Sequence, residues 1–271
     1  MKSAIKIAYI GTDFYGSQAQ PGLRTVEGEL RRALEGVGAI VPKGKIAMSG
    51  RTDAGVHALC QVVSFEPADP KLVAPRIINS KLPPDLWAYA KADVVEDFDP
   101  RRHAISREYR YILYAPDVME NRLREFALRI IGTHNFTNFS TVELGKNPVR
   151  TVRRIEVTKM GDIYLIDIEA DSFLWNMVRK IVTALRLVGG NKRPNDWIER
   201  MFDPAYREGI PPAPAAGLYL AKVNYDGIAF EDDDYAKQRA YQRLLHSFEW
   251  QYTMAEVSRE FGDAMKGGIY P

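Results

Sequence analysis

Cysteine is almost absent from this chain of 271 residues, and its scarcity excludes several kinds of site. The single residue, Cys60, cannot form an intramolecular disulfide or a metal site built from several thiolates, and we expect it to be a small buried strand residue. Of the four histidines, His103 and His134 fall at no spacing typical of metal ligands. The sequence therefore predicts no metal site and a reducing, cytoplasmic location.

Long apolar runs are also missing from the sequence. No stretch reaches the roughly eighteen apolar residues that a membrane-spanning helix requires, and the N-terminus has no signal-peptide pattern, so we expect no membrane contact. Apolar residues nevertheless make up 46% of the chain, which is ample for packed cores. The length suits one large domain or two of ordinary size, and no repeat of solenoid length is present.

Excess charge of one sign is small, with a formal net charge of +2, which looks too low for a protein that binds nucleic acid. The charge is unevenly distributed, however, because residues 228–271 hold five Lys and Arg against eight Asp and Glu. Residues 1–227 therefore carry 32 basic and 27 acidic residues. Two local arginine clusters lie in this part: Arg101, Arg102, Arg107 and Arg110, then Arg150, Arg153 and Arg154. Such clusters suit phosphate groups, although a solvated surface explains any one of them equally well.

The spacing of apolar residues alternates between a period of two and a period of 3.6, which indicates strands mixed with helices. Strands are predicted at residues 4–10, 59–65, 86–92, 107–114, 152–159, 163–170 and 218–224, with a short one near Ile46. Helices are predicted after the cap residue Thr25, near Pro75, and at residues 122–131 and 173–188. Because some strands form hairpins and others alternate with helices, the pattern favours an α+β fold over a doubly wound parallel sheet.

The most informative segment is Ser-Gly-Arg-Thr-Asp-Ala-Gly-Val-His at residues 49–57, which places Asp53 between an arginine and two glycines. Gly50 and Gly55 are expected to adopt backbone angles that a Cβ would forbid, so that the chain bends sharply and approaches a ligand closely around Asp53. Taken alone, an aspartate in such a sequence is more often a turn or helix cap. Its neighbours make Asp53 the first candidate for a catalytic carboxylate.

Residues 50–57 resemble the G-R-T-D-A-G-V-H signature of the TruA-type tRNA pseudouridine synthases, a family in which the aspartate of this motif is the nucleophile. Further segments resemble the family in the same order along the chain: residues 11–20, 25–26, 106–111, 132–136, 173–179 and 217–220. The resemblance covers residues 4–226, and residues 173–179 are closer to archaeal and eukaryotic-like members than to bacterial ones. Ser17 stands where the family usually has Trp, and Asn135 where it usually has Asp.

The resemblance implies two ferredoxin-like (RRM-like) halves that form a continuous, mostly antiparallel sheet with a central cleft. Residues 1–103 would carry the Asp53 loop and residues 104–227 would complete the cleft, with the junction near residues 98–105. Residues 228–271 lie outside the pattern. Their acidic start suits a helix N-terminus and their aromatic content argues against disorder, so we expect a helical extension docked on the C-terminal half, with Gly267 and Gly268 near its end.

The resemblance also implies an enzyme that isomerises uridine to pseudouridine at positions 38–40, in the anticodon arm of tRNA, and that acts as a homodimer. Such an isomerase breaks the bond between C1′ and N1, turns the uracil over and reconnects it through C5, without oxidation or an added group. No cofactor is therefore expected. A carboxylate can attack C1′, or can remove the C2′ proton to give a glycal, and the sequence leaves both routes open for Asp53.

Four further residues are assigned to the site by the resemblance. Arg179 would pair with Asp53, because a carboxylate that loses water in a base-sized pocket needs a fixed cation. The helix around Arg179 is apolar over most of its circumference, so this side chain is expected to be part-buried. Arg51 is the alternative partner, although the family uses this arginine to enter the RNA in place of the expelled nucleotide. Tyr109 would stack on the extruded base, and Leu218 would line its pocket.

Two other functions are compatible with parts of the pattern. A protein that binds RNA without activity would be favoured if Asp53, Tyr109 or Arg179 were absent, and all three are present. A hydrolase that uses Asp53 together with His57 would remove a base or a phosphate instead of isomerising. We expect His57 instead to orient the loop through a hydrogen bond.

Overall fold

Ten strands form one sheet within residues 1–141 and 145–266, the part of the chain that the computed structural model describes. The strands are β1 (Lys2–Tyr9), β2 (Ile46–Met48), β3 (His57–Phe65), β4 (Leu86–Val94), β5 (Ser106–Tyr114), β6 (Gly132–Asn135), β7 (Val149–Met160), β8 (Ile163–Ala170), β9 (Leu218–Asn224) and β10 (Glu231–Asp232). The α-helices are α1 (Val26–Gly36), α2 (Pro75–Ile78), α3 (Glu120–Ile130), α4 (Met177–Gly189), α5 (Trp197–Phe202) and α6 (Asp234–Met265).

The sheet is mostly antiparallel, as predicted, with the order β10-β4-β1-β3-β9-β5-β8-β7-β6 and with β2 beside β3. Strands β3 and β9 form a parallel seam between the N-terminal and C-terminal strands, and only His57–Tyr219 and Ala58–Leu220 are paired there. Past the seam the two strands separate. Ser49, just after β2, donates its N–H to the Val62 carbonyl of β3, and its own carbonyl accepts from Arg107 of β5. The loop that follows β2 therefore lies between the two parts of the sheet.

Helices pack against both parts of the sheet, and in the N-terminal part α2 and α6 contact β4. The Thr25 hydroxyl caps α1 by accepting a hydrogen bond from the N–H of Gly28, as the sequence predicted. In the C-terminal part, α3 packs against α4 and β7. Along β5, Tyr109, Tyr111 and Leu113 are buried whereas Ile112 and Tyr114 are exposed, which is the alternation of a strand covered on one face. The covered face carries the aromatic side chains to the site.

Four helical or strand segments differ from the sequence prediction, among them the unpredicted two-residue strand β10. Helix α4 begins at Met177 and not near Phe173, because Asn176 adopts a left-handed φ of 62° that a regular helix cannot continue through. Trp175 therefore lies in a loop before the helix. Strand β6 and helix α5 were not predicted, since elements of four and six residues are too short to show a clear apolar period.

The C-terminal extension is helical over Asp234–Met265, but its predicted docking site is wrong. Strand β10 pairs with β4, and the Asp233 carboxylate binds Arg76 at 3.1 Å while capping the N–H of Ala236. After β9 the chain returns to the N-terminal half, and these contacts hold the start of α6 there. Within the described residues, no helix is both long and apolar enough to cross a membrane. Gly267 and Gly268 lie outside the described residues.

Candidate active site

Hydrogen bonds of Thr52, the residue before Asp53, hold the loop that carries the carboxylate. Thr52 donates its N–H to the Ser17 Oγ at 2.8 Å, and the Thr52 carbonyl accepts from the N–H of Ser17 at 3.0 Å. The Thr52 hydroxyl also lies 2.8 Å from the hydroxyl of Tyr9, on β1. All three of these residues are buried. The backbone next to Asp53 is therefore fixed from two directions, by the loop at residues 16–17 and by the sheet.

Two glycines allow this close approach, and one glycine expected to do so does not. Gly55 has a φ of 79°, as predicted for the bend after Asp53. A Cβ on Gly11 would lie 2.0 Å from the Val56 carbonyl oxygen, so this position also tolerates no side chain. The prediction is wrong for Gly50, which lacks a positive φ and where a Cβ would meet open space. Its carbonyl accepts a hydrogen bond from the Gln61 amide at 2.9 Å.

His57 is a structural residue of the loop, as expected, and does not pair with Asp53. Its Nδ1 accepts from the N–H of Gly11 at 2.8 Å, and its Nε2 lies 3.0 Å from the carbonyl of Ala216. A neutral imidazole with the proton on Nε2 satisfies both contacts. Burial lowers the pKa of His57, although the Ala216 carbonyl opposes this shift. The alternative function of a hydrolase requires an Asp53–His57 pair, and the contacts of His57 do not provide one.

Arg179 of α4 reaches Asp53 across the seam. Its Nη1 lies 3.3 Å from the Asp53 Oδ2 and 3.1 Å from the Asn176 Oδ1. Its Nε donates to the Ala213 carbonyl at 2.6 Å, and the N–H of Ala213 donates to the Arg179 carbonyl. The Arg179 side chain is 16% exposed, so the expected partial burial is confirmed, whereas the Asp53 side chain is 34% exposed. These hydrogen bonds orient the Arg179 guanidinium, and the Asp53 side chain stays partly exposed to the cavity.

An aromatic wall stands next to this ion pair. Tyr109 is buried on β5, and its ring meets the edge of Phe173, with the ring centroids 5.1 Å apart. Burial raises the pKa of Tyr109 to about 12; the Arg107 guanidinium opposes this rise and the Asp53 carboxylate adds to it. Tyr109 is therefore a neutral phenol at any physiological pH. Leu218, at the start of β9, is also buried and lines the same cavity.

A cavity of about 890 Å³ brings all five predicted residues together, with Asp53, Arg179, Tyr109, Arg51 and Leu218 in its lining. Arg51 is exposed, and among the described residues it forms no ion pair, so Arg179 and not Arg51 is the partner of Asp53. Asp53 is the only acidic residue in the described lining, which also holds several arginines. The cavity can therefore hold a planar polar ring beside one ionised carboxylate, with phosphate groups nearby.

Sequence reasoning missed four residues that shape the site. Ser17 was noted only as a departure from the family pattern, although it clamps Thr52. Phe173 and Asn176 belong to a segment that was taken for helix, and Arg107 was seen only as part of a basic cluster. The positive φ of Asn176 has a weak sequence signal, since Asn tolerates the left-handed region. The other three depend on contacts between distant segments, which no local pattern records.

Comparisons with known proteins identify the family of the chain. Residues 127–226 match a family model described as tRNA pseudouridine synthase. The chain is 75% identical over 266 residues to a tRNA pseudouridine synthase A of Methanocella arvoryzae, with 98% of this chain and 100% of that protein covered. It is 49% identical to a tRNA pseudouridine synthase A of Methanosarcina mazei, with 96% and 98% covered.

A search of solved structures also finds an archaeal box H/ACA sRNP Nop10–Cbf5 complex. The match has 14% identity and a TM-score of 0.36, and it covers 68% of this chain and 43% of that one. A superposition at this level does not establish a common fold. The sequence relatives, by contrast, match over nearly their full length.

Proposed function

The chain belongs to the tRNA pseudouridine synthase family, whose members isomerise uridine in tRNA, and we propose that it acts at positions 38–40 of the anticodon arm with Asp53 as the reacting carboxylate. One observation carries the proposal. A carboxylate from the N-terminal part and a guanidinium from the C-terminal part meet at 3.3 Å in a cavity that also presents the Tyr109 ring. An ionised acid beside an aromatic surface is what cleavage and re-formation of a glycosidic bond to uracil requires.

The proposed reaction begins at the sugar of the target uridine. Either Asp53 attacks C1′, and the electron pair of the C1′–N1 bond leaves with the uracil, or Asp53 removes the C2′ proton and the uracil leaves from a glycal. The freed uracil turns over, and C5 forms the new bond to C1′. On the first route the bond between C1′ and Asp53 breaks as C5 attaches, and on the second route Asp53 returns the proton to C2′. The C5 proton passes to solvent and N1 gains a proton, so the mass of the RNA is unchanged. Arg179 would hold the Asp53 carboxylate in position through each step.

The other residues of the site would hold the base outside the RNA stack. Tyr109 would stack on the extruded uracil, and Leu218 would close the pocket with an apolar side chain, which offsets the cost of unstacking. Arg51 is exposed at the cavity and would take the place of the expelled nucleotide. None of these steps requires a metal or another cofactor.

We also propose the domain division implied by the motifs. Residues 1–103 and 104–227 would be two ferredoxin-like halves that share the sheet, and residues 228–271 a separate extension. The seam between β3 and β9, with its two residue pairs, supports a boundary through the middle of the sheet. A reducing cytoplasm remains the proposed location, and Cys60 is a buried free cysteine.

The test of the proposed function is tritium release from C5 of labelled uridine in tRNA, measured with purified protein. Replacing Asp53 with Asn should lower the rate by at least about three orders of magnitude, since the reacting group is lost. Asp97→Asn is the matched control, because Asp97 is exposed and lies outside the cavity lining. Release that survives in Asp53→Asn would overturn the assigned mechanism, and any change in RNA mass would indicate a hydrolase.

A homodimer is proposed as the active form, and α6 supports it. Beyond its first turns the helix exposes a series of large apolar side chains: Tyr241, Leu244, Leu245, Phe248, Trp250, Tyr252, Met254, Val257 and Phe261. The first part of the helix carries mostly basic residues and the later part mostly acidic ones: Lys237, Arg239 and Arg243, then Glu249, Glu256, Glu260 and Asp263. Two copies of α6 in antiparallel order would therefore bring opposite charges together.

Light scattering on the full chain tests the dimer. The mass should be twice that of one chain, and Phe248→Ser should shift it toward the monomer. Leu128→Ser is the matched control, because Leu128 is a similarly exposed apolar residue on α3. A monomer at micromolar concentration, or an equal response of both variants, would contradict the proposed dimer.

A further inference from the structure

One wall of the cavity carries positive charge that the proposed isomerisation does not use. Arg101, Arg107 and Arg150 all line the cavity, and none of them forms an ion pair with a carboxylate of the described residues. Their neighbours in sequence behave differently: Arg110 pairs with Asp167 at 2.6 Å, and Arg154 pairs with Glu156 at 2.8 Å. Within the two arginine clusters, carboxylates therefore neutralise Arg110 and Arg154, whereas Arg101, Arg107 and Arg150 form a cavity set.

Arg107 is the most buried member of the cavity set, with 8% of its surface exposed. Among the described residues, its guanidinium donates only to backbone carbonyls: to Ser49 at 2.9 Å, to Arg101 at 2.7 Å and to Asp171 at 3.1 Å. Burial lowers the pKa of Arg107, yet an arginine keeps its charge under all ordinary conditions. The nearby Asp171 carboxylate accepts from the N–H groups of Thr151 and Ser172, and it stays outside ion-pair distance of Arg107.

Arg150 adds an unmet donor to the same wall. Its Nη1 donates to the carbonyls of Asn147 and Val149, whereas its Nε is buried and has no hydrogen-bond partner among the residues that the structure describes. Arg150 precedes Thr151, and the Thr151 backbone forms hydrogen bonds with Asp171. The Asp171 carbonyl in turn accepts a hydrogen bond from Arg107. The Arg101 carbonyl accepts from Arg107 as well. These contacts place the three arginines around one short stretch of backbone.

We propose that Arg101, Arg107 and Arg150 form a subsite for a phosphodiester group of the RNA strand that carries the extruded nucleotide. A buried cation without a counterion is costly, and an anion that enters with the substrate removes this cost. The planar donors of arginine match two phosphate oxygens at once. The subsite rests on the proposed function, because it assumes that an RNA strand enters the cavity.

The subsite would also connect RNA binding to the reacting loop. Arg107 binds the Ser49 carbonyl on one side and the segment before Phe173 on the other, so it joins the loop of Asp53 to the loop that precedes α4. A phosphate at this point would be held by the same side chain that positions both loops. Correct placement of the strand and correct placement of Asp53 would then depend on each other.

The experiment measures tRNA affinity as a function of salt for Arg101→Gln and Arg150→Gln. Each variant should reduce the slope of log K against log salt by about one, which is the loss of one phosphate contact. The matched controls are Arg102→Gln and Arg153→Gln, which remove the same charge from adjacent positions outside the cavity lining. Their slopes should equal that of the unmodified protein. Arg107 stays intact, since its loss would also release the Ser49 loop.

A second arm uses tRNA with a single neutral methylphosphonate linkage next to the target uridine. This linkage should weaken binding to the unmodified protein and to the two controls, but it should have little additional effect on the Arg101→Gln, Arg150→Gln double variant. Equal slopes for the cavity variants and the controls, or full additivity with the neutral linkage, would overturn the subsite. Failure of the unmodified protein to release tritium from C5 would instead overturn the proposed function.

Discussion

The two walls of the cavity are built in different ways. The N-terminal wall consists of loop backbone, at residues 16–17 and 49–57, and hydrogen bonds among loop residues hold it. The C-terminal wall consists of β5, β9 and α4, whose positions follow from core packing. The reacting carboxylate is on the first wall, and its cation and aromatic neighbour are on the second. Loop contacts therefore set the position of the Asp53 side chain, whereas the packed elements hold Arg179 and Tyr109 in fixed positions.

The largest effect of a change on the packed wall is expected at Arg179. Arg179→Gln should lower kcat by about two to three orders of magnitude, as loss of one preorganised charged donor does elsewhere. Arg179→Lys should recover little, because lysine cannot bind the Ala213 carbonyl and Asp53 with the same planar fork. Single-turnover tritium release measures both. Arg186→Gln, on the same helix and outside the cavity lining, is the control. Full activity of Arg179→Gln would contradict a role for Arg179 in positioning the Asp53 carboxylate.

The next largest effect is expected at Tyr109. Tyr109→Leu should reduce kcat/KM by about ten- to a hundredfold, because stacking on a base contributes roughly 1–3 kcal/mol. Tyr109→Phe should stay close to the unmodified rate, because it keeps the ring. Tyr109→Phe also tests the pH dependence of stability. Burial raises the pKa of Tyr109 to about 12, so its contribution to the free energy of unfolding is present below pH 10 and is lost as the pH rises toward 12.

Urea unfolding between pH 9 and 12 checks this second part. The free energy of unfolding should fall less steeply in Tyr109→Phe than in the unmodified protein, because one group that keeps its proton only in the folded state has been removed. Identical pH profiles would contradict the buried neutral phenol. Equal activities of the Leu and Phe variants would remove the stacking role.

A smaller effect on the loop wall is expected at Ser17. Ser17→Ala removes the acceptor for the Thr52 N–H and should cost about 1–2 kcal/mol in total, divided between stability and the placement of Asp53. We expect kcat to fall while the affinity for tRNA stays unchanged. Ser80→Ala, which removes an exposed hydroxyl bonded to the Ile77 carbonyl, is the control. A loss of tRNA affinity with unchanged kcat would show that this loop binds RNA and does not aim Asp53.

The smallest effect is expected for the pH dependence of His57. Because burial lowers its pKa below 6.5, the unfolded chain takes up a proton first as the pH falls, and the folded state is destabilised from about pH 6.5 downward. His57→Asn keeps an acceptor for the Gly11 N–H and should flatten this part of the profile. His246→Asn, at an exposed position of α6, is the comparison. Parallel profiles for the unmodified protein and His57→Asn in urea titrations at pH 5.5 and 7.5 would argue against the buried imidazole.

Much of the site was predictable because its chemistry is recorded in short motifs. Asp53 stood out through its glycines and arginine, and Tyr109 through the resemblance of residues 106–111 to the family. The role of Gly50 was misjudged, since a glycine in a motif does not by itself indicate a positive φ. The start of α4 was misjudged because residues 173–176 are as apolar as the helix that follows them.

The sequence by itself determined the family, the mostly antiparallel sheet and five of the residues that line the cavity. The tertiary structure alone decided how they meet: Arg179 reaches Asp53 across 126 residues, Ser17 holds Thr52, and α6 starts on the N-terminal half. These contacts join segments whose separation in the chain is large, and the contact between Arg179 and Asp53 crosses the β3–β9 seam. Local patterns record the backbone conformation and the apolar face of each segment, whereas the partners of buried polar groups are decided only when the segments pack together.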